Sequence, residues 1–197
     1  MADPTVAAFV LAGGKSSRMG TDKAFLPFHG RSLLSRALET AHTLTDGVYI
    51  VGDPSKFEGL GNVIADTFPD SGPLGGIHAA LAAHKAEWNL VLAVDIPLIT
   101  PAFLKALVGE SRRTDAVVTV PRSNGLFHPL CAVYRTGFAG IAEQALRTGR
   151  YKIDPLFGSV KTRIIDEREL QEAGFSTHLF TNVNTAEEYR ALLDQTS

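Results

Sequence analysis

One apolar run, Val6-Ala7-Ala8-Phe9-Val10-Leu11, ends abruptly at two adjacent glycines, Gly13 and Gly14, and a polar loop that carries Lys15, Arg18 and Lys23. A strand with one face in water alternates apolar and polar residues, whereas an unbroken run is the pattern of a strand covered on both faces. That pattern commits the chain to a sheet with helices above and below it. In such a sheet the loops leaving the carboxyl ends of the strands line the ligand crevice. Glycines there expose backbone N–H groups, and three cations around them describe a socket for a multiply charged anion, a nucleoside triphosphate above all. An ordinary strand exit with solvated charges is the alternative. The coincidence of glycines, cations and strand context favours the socket.

The chain beyond the loop repeats the alternation. Leu33, Leu34, Ala37, Leu38, Ala41 and Leu44 recur at helical spacing after Ser32, and Val48–Val51 reads as the next strand, closed by Gly52-Asp53-Pro54. Strand, helix, strand in that order is a parallel βαβ unit with a right-handed crossover. Asn62–Ala65 reads as a third strand ending at Asp66, followed by a second glycine-rich stretch, Pro69–Gly76, and a helix from Ile77 to about His84. Leu90–Val94 is the clearest buried strand; it ends in Asp95-Ile96-Pro97, with Thr100-Pro101 as N-cap and first position of the following helix. Asp95, at the exit of a central strand beside the presumed socket, is well placed to ligate a metal; capping a turn is its other use. Further on, Ala116–Pro121 and Pro129–Tyr134 read as an antiparallel, hairpin-like pair added to the parallel sheet, and Thr136–Leu146 as a helix. Lys161–Ile165 reads as a strand and Leu179–Val183 as a short strand. Thr185 and Glu188 then form the capping box of the last helix. With no repeat or linker in view, residues 1–197 are expected to form a single domain, α/β, three-layered, with a mostly parallel central sheet and helices on both faces.

Composition narrows the use of such a domain. A net charge of −2 over 197 residues excludes nucleic-acid binding by bulk electrostatics, so any anion site is local. The lone cysteine, Cys131, rules out an internal disulfide and sits in an apolar run that reads as core. No apolar stretch approaches the roughly 20 residues of a membrane span, and Met1–Thr5 lacks the regions of a signal peptide, so a cytoplasmic location is expected. Familiar motifs fail on spacing. A P-loop ending at Lys15-Ser16 would need a glycine at Phe9, and Lys15 stands where the dinucleotide fingerprint needs its next glycine. The six histidines show no zinc spacing, and no serine sits in a nucleophile elbow. His128 is the histidine to watch, because it opens a strand in the less regular half.

Leu11-Ala12-Gly13-Gly14-x-Ser16-x-Arg18-Met19-Gly20-x-Asp22-Lys23 resembles the signature of nucleotidyltransferases with one Rossmann-like domain, and among them the MobA family of molybdenum cofactor guanylyltransferases. Gly72-Pro73-Leu74-Gly75-Gly76, Asp95-Ile96-Pro97, His128-Pro129-Leu130 and Asn182-Val183-Asn184-Thr185 fall where that family carries similar motifs, so the likeness covers nearly the whole chain. The resemblance implies GMP transfer from GTP to the terminal phosphate of molybdopterin, with magnesium as cofactor. Leu11, Ala12, Gly13, Gly14 and Asp66 would contact the nucleotide, Lys23 and Arg18 its phosphates, and Asp95 the metal. Asn182 and Asn184 would hold the metal or the pterin-side substrate. A molybdoenzyme or an insertion chaperone is the protein partner implied. Glycine at 13, where the cytidylyl branch carries alanine, leaves room for a purine edge. The motif itself is shared with enzymes that use CTP on molybdopterin or a nucleotide on a sugar phosphate. A non-catalytic nucleotide-binding module is the reading from another class.

Overall fold

The computed structural model describes residues 5–13, 22–83 and 86–196. Gly14 and Arg18, with the rest of 14–21, lie outside that set, and so do the roles expected of them. In chain order the elements are β1 (Val6–Leu11), β2 (Pro27–Phe28), β3 (Arg31–Ser32), α1 (Leu33–His42), β4 (Val48–Val51), α2 (Pro54–Phe57), β5 (Asn62–Ile64), α3 (Pro73–Ala83) and β6 (Trp88–Ala93). There follow α4 (Pro101–Arg112), β7 (Val118–Ser123), β8 (Leu126–Phe127), β9 (Cys131–Tyr134), α5 (Phe138–Arg147), β10 (Thr162–Ile165), α6 (Glu167–Glu172) and α7 (Ala186–Thr196). Among the described residues, no helix is long and apolar enough to cross a membrane.

The main sheet runs β10-β7-β9-β6-β1-β4-β5, with β8 paired to β7. Strand β1 is central and pairs in parallel with both β4 and β6. Its side chains divide by parity, as the two-residue period of a strand requires. Val6, Ala8 and Val10 enter the core beneath α1 and α4, while Ala7, Phe9 and Leu11 enter the core beneath α3 and α5. The unbroken apolar run is thus explained by helices on both faces. Capping residues mark the helix starts: the Ser32 hydroxyl accepts from the Ser35 N–H, and Thr100 from Phe103, with Pro101 at the first position of α4.

The expected antiparallel pair is present but not as an appendage. A two-residue turn at Asn124-Gly125, both at positive φ (51° and 75°), folds β7 onto the short β8. The chain then returns as β9, antiparallel to β6 on one side and to β7 on the other. All four residues of β9 are buried, so this strand needs cover on both faces and neighbours on both edges. Running against its neighbours, β9 delivers its first residues to the carboxyl edge of β1 and β6. The Leu130 carbonyl accepts there from the Ala93 N–H at 2.8 Å.

Two other expectations are corrected. Helix α3 begins at Pro73, not Ile77, and absorbs Gly75 and Gly76 into its first turns. Leu179–Val183 is no strand: Thr177–Phe180 is a 3₁₀ turn capped by Ser176, and the chain beyond it touches the sheet edge through one bond, Val183 N–H to the Asp95 carbonyl at 2.8 Å. Val183 is fully buried, which explains the apolar signal without a ladder. The capping box at α7 is as expected, Glu188 N–H bonding the Thr185 hydroxyl and the Glu188 carboxylate bonding Thr185 N–H.

Candidate active site

A cleft of about 820 Å³ opens at the carboxyl edge of β1, β4 and β6, within the range of small-molecule sites. Leu11, Ala12 and Gly13 form one part of its lining, Ala93 to Asp95 another, and Val51 to Pro54 with Asp66 the far wall. The edge is tied together by backbone bonds. Val94 N–H donates to Leu11 O, and the Ala12 and Gly13 amides both donate to Val51 O at 3.0 and 3.1 Å. This corrects the expectation of bare amides: those two are spent within the sheet edge, so Ala12 and Gly13 line the cleft without donating into it. A methyl added at Gly13 would meet Gly52 and the Val51 carbonyl at ordinary contact distances of 3.5 and 3.7 Å. Packing therefore does not demand glycine there, and room for a ligand is the remaining use.

Lys23 opens the 3₁₀ turn Lys23–Phe25, whose N-cap Asp22 accepts the Ala24 N–H. The other oxygen of Asp22 meets Lys56 of α2 at 3.0 Å, linking this turn to the cleft rim. The Lys23 ammonium lies 3.7 Å from the Asp95 carboxylate, with side chains only 19% and 25% exposed. It donates to the Asn184 carboxamide oxygen at 2.9 Å. Burial pushes the Asp95 carboxyl above the usual range and the nearby Glu188 carboxylate adds to this, while the Lys23 ammonium opposes both. Residues 23, 95 and 184, far apart in sequence, thus converge: Lys23 and Asp95 line the cleft, and Asn184 meets Lys23 from beside it. Asn182 is exposed and forms no hydrogen bond with any described group, so of the expected pair only Asn184 reaches the site.

Asp66 follows β5 and faces the cleft from the opposite wall. Its Oδ1 accepts from Phe68 N–H at 2.8 Å, and burial raises its pKa against the pull of that bond and of His78. The carboxylate presses on α3: a Cβ at Gly75 would stand 2.7 Å and 3.0 Å from its two oxygens and 3.1 Å from Phe68 O. Glycine is required at 75 by this approach, not by its backbone angles. Gly75→Ala is expected to displace Asp66, destabilise the fold by about 1–3 kcal/mol and weaken nucleotide binding. Thermal unfolding and GTP titration check it; wild-type values for both would show that the helix has room to yield.

His128 lies beside the site rather than in the cleft. Its ring stacks on Phe180 at 3.9 Å with 8° between planes, and its Nε2 lies 2.7 Å from Ser123 Oγ. Burial lowers its pKa to about 4, which leaves it neutral and a poor proton acceptor near pH 7. The Cys131 thiol is buried and pushed up, the opposite of a reactive cysteine. Asp70 and Leu130 line the cleft as well, and so does Lys56, which has no place in the sequence motifs. Asp53-Pro54, the N-cap and first residue of α2, carries a helix-start signal that locates Lys56. Lys56 itself reads as one more surface lysine until the turn it bonds is folded.

A cleft at this edge of a three-layer α/β fold, with Lys23 and Asp95 facing each other in it, is the arrangement the sequence motifs lead one to expect of a nucleotidyltransferase. The model of the MobA-like NTP transferase domain matches residues 8–159, and the chain belongs to that family. A molybdenum cofactor guanylyltransferase from Desulfosudis oleivorans is 33% identical over 186 residues, 93% of this chain and 92% of that protein. Molybdopterin-guanine dinucleotide biosynthesis protein A from Archaeoglobus fulgidus shares the fold with a TM-score of 0.84 at 24% identity, over 96% of this chain and 98% of that one. A CMP:2-keto-3-deoxy-manno-octonic acid synthetase crystallised with CTP shares it with a TM-score of 0.71 at 17% identity, over 98% and 99%.

Proposed function

We propose that the chain transfers GMP from GTP to the terminal phosphate of molybdopterin, releasing pyrophosphate and forming the guanine dinucleotide cofactor. The Lys23–Asp95 pair at the cleft floor, facing Asp66 across it, carries this reading. The terminal phosphate of molybdopterin is ionised near neutral pH and attacks the α-phosphorus in line; the bond from that phosphorus to the β-phosphate bridging oxygen breaks, and pyrophosphate departs. No side-chain nucleophile is needed. The protein's work is positioning and charge neutralisation. Lys23 holds its ammonium at the phosphates and meets the charge that develops on the leaving pyrophosphate.

The donor set fits a magnesium ion. No cluster of three or more His, Cys, Asp or Glu side chains occurs among the described residues, so there is no all-protein cage. Magnesium is commonly held by one or two carboxylates together with substrate phosphates and water, and Asp95 offers a carboxylate at the cleft floor, with the Asn184 amide oxygen nearby. Bound there it would supply positive charge to the phosphate oxygens.

Asp66 would select the base. Guanine presents N1–H and the 2-amino group side by side, two donors that one carboxylate can accept, whereas cytosine offers acceptors at N3 and O2. A carboxylate fixed by Phe68 N–H and backed by Gly75 is rigid enough to impose that choice. Pyrophosphate release measured with GTP and CTP, each with molybdopterin as acceptor, tests the activity; release with CTP alone, or with neither, rejects it. Asp66→Asn is expected to lower the preference for GTP over CTP by at least about tenfold, because one acceptor becomes a donor facing donors. An unchanged preference would move base recognition elsewhere in the cleft.

A further inference from the structure

The first turn of α7 is bonded more heavily than a helix start requires. A capping box uses the third-position carboxylate to accept one amide, that of the N-cap residue. Here Glu188 Oε2 accepts from Thr185 N–H at 3.0 Å and also from Asn184 N–H at 2.6 Å. The preceding amide, Val183 N–H, is held by the carbonyl of Asp95 itself. Three successive amides are thus pinned, two to one carboxylate and one to the residue that faces Lys23. The side chain at the middle of this clamp is Asn184. An ammonium only donates, so the carboxamide oxygen must be the atom turned toward Lys23, at 2.9 Å.

We propose that Glu188 is a positioning residue: by taking the amide hydrogens of Asn184 and Thr185, it aims the Asn184 carboxamide at Lys23 and sets the direction of the ammonium at the cleft floor. Its own side chain is exposed; it reaches Lys23 through Asn184 and acts on Asp95 only through its charge. Hydrogen bonds to a carboxylate are the stronger kind, and two on one oxygen fix the backbone from which Asn184 projects. The sequence shows Glu188 as a helix cap and nothing more. Its link to Lys23 spans residues 23 and 184, which only the fold brings together. The proposal rests on the reading of Lys23 as the phosphate-binding cation.

The test uses the full chain with Glu188→Ala, Glu188→Gln, Asn184→Ala and the double variant E188A/N184A, and Glu187→Ala as a control in the same turn. Acetylation of Lys23 by acetic anhydride, followed by peptide mass spectrometry, reads the freedom of the ammonium without any substrate. It is expected to run severalfold faster in E188A and N184A, no faster in the double variant than in either single one, and near wild type in E188Q and E187A. In the transfer assay E188A is expected to lose about tenfold in kcat with little change in KM for GTP, since small misplacements act on the reacting geometry. E188Q, which still presents an acceptor oxygen, should recover most of that loss. A lower melting temperature in E188A with wild-type labelling of Lys23 would mean a helix cap only and overturn the proposal, as would effects of E188A and N184A that multiply. Faster labelling in E188A beside a wild-type protein that releases no pyrophosphate from GTP would sink the proposed reaction and leave the positioning intact.

Discussion

Lys23→Ala is expected to slow pyrophosphate release from GTP by about a hundredfold or more, the loss that follows when one charged donor, worth on the order of 3 kcal/mol, is removed from a shielded site. The side chain is mostly covered, and it meets both Asp95 and Asn184. Its removal therefore acts twice. The phosphates lose a cation, and Asp95 loses the charge that opposes its desolvation. Because burial already raises the Asp95 carboxyl and Lys23 holds it down, the variant should raise it further. If the ionised carboxylate is the active form, the acid limb of the pH–rate profile moves to higher pH in Lys23→Ala. Lys23→Arg keeps the positive charge and should hold that limb closer to wild type, while its broad planar fork, unlike the compact ammonium, recovers only part of the rate. Steady-state pyrophosphate release between pH 5 and 9 reads both effects. Wild-type turnover in Lys23→Ala would remove this residue from the mechanism.

Asp95→Ala is expected to cost a comparable factor, about a hundredfold or more, by a different route. Asp95 belongs to no group of three or more metal-ligating side chains among the described residues, so the loss leaves the proposed magnesium ion with little protein to hold it. The magnesium concentration that gives half-maximal rate should rise by at least about tenfold, because little but phosphate oxygens and water would then hold the ion. Asp95→Asn retains the shape and loses the charge, and it should resemble alanine rather than wild type. Stability is expected to move the other way. Burial raises the Asp95 carboxyl despite the cation at 3.7 Å, so its ionised form carries a net cost in the fold that asparagine removes, and the asparagine variant should melt no lower than wild type. Thermal unfolding beside a magnesium titration of the rate checks the pair of effects. A sharp fall in melting temperature would make Asp95 a structural residue first, and an unchanged magnesium dependence would end its role as a ligand.

Most of the scaffold was legible because it rests on local chemistry. The unbroken run in β1, the Ser32 and Thr100 caps and the Thr185–Glu188 box are patterns within a few residues of one another, and the structure contains each of them. Errors arose where local signals were ambiguous. Gly75 and Gly76 read as loop, yet they are helical; they are glycine, against its low helix propensity, because a Cβ at 75 would clash with Asp66 and one at 76 would crowd Leu11. Val183 reads as strand because it is apolar, yet it is buried by packing into the core on the α1 and α4 face, with one backbone bond to Asp95 and no ladder.

By itself the chain of residues determined the layers, the central strand and the kind of chemistry at its end, because periodicity, capping and the types of charged side chain are properties of short segments. Tertiary structure alone decided which segments meet. It set β9 between β6 and β7, spent the Ala12 and Gly13 amides on Val51, left Asn182 exposed while turning Asn184 onto Lys23, and brought Glu188 behind that contact. Such contacts span as many as 161 positions, and no short window of sequence carries the energy that selects one partner over another at that separation.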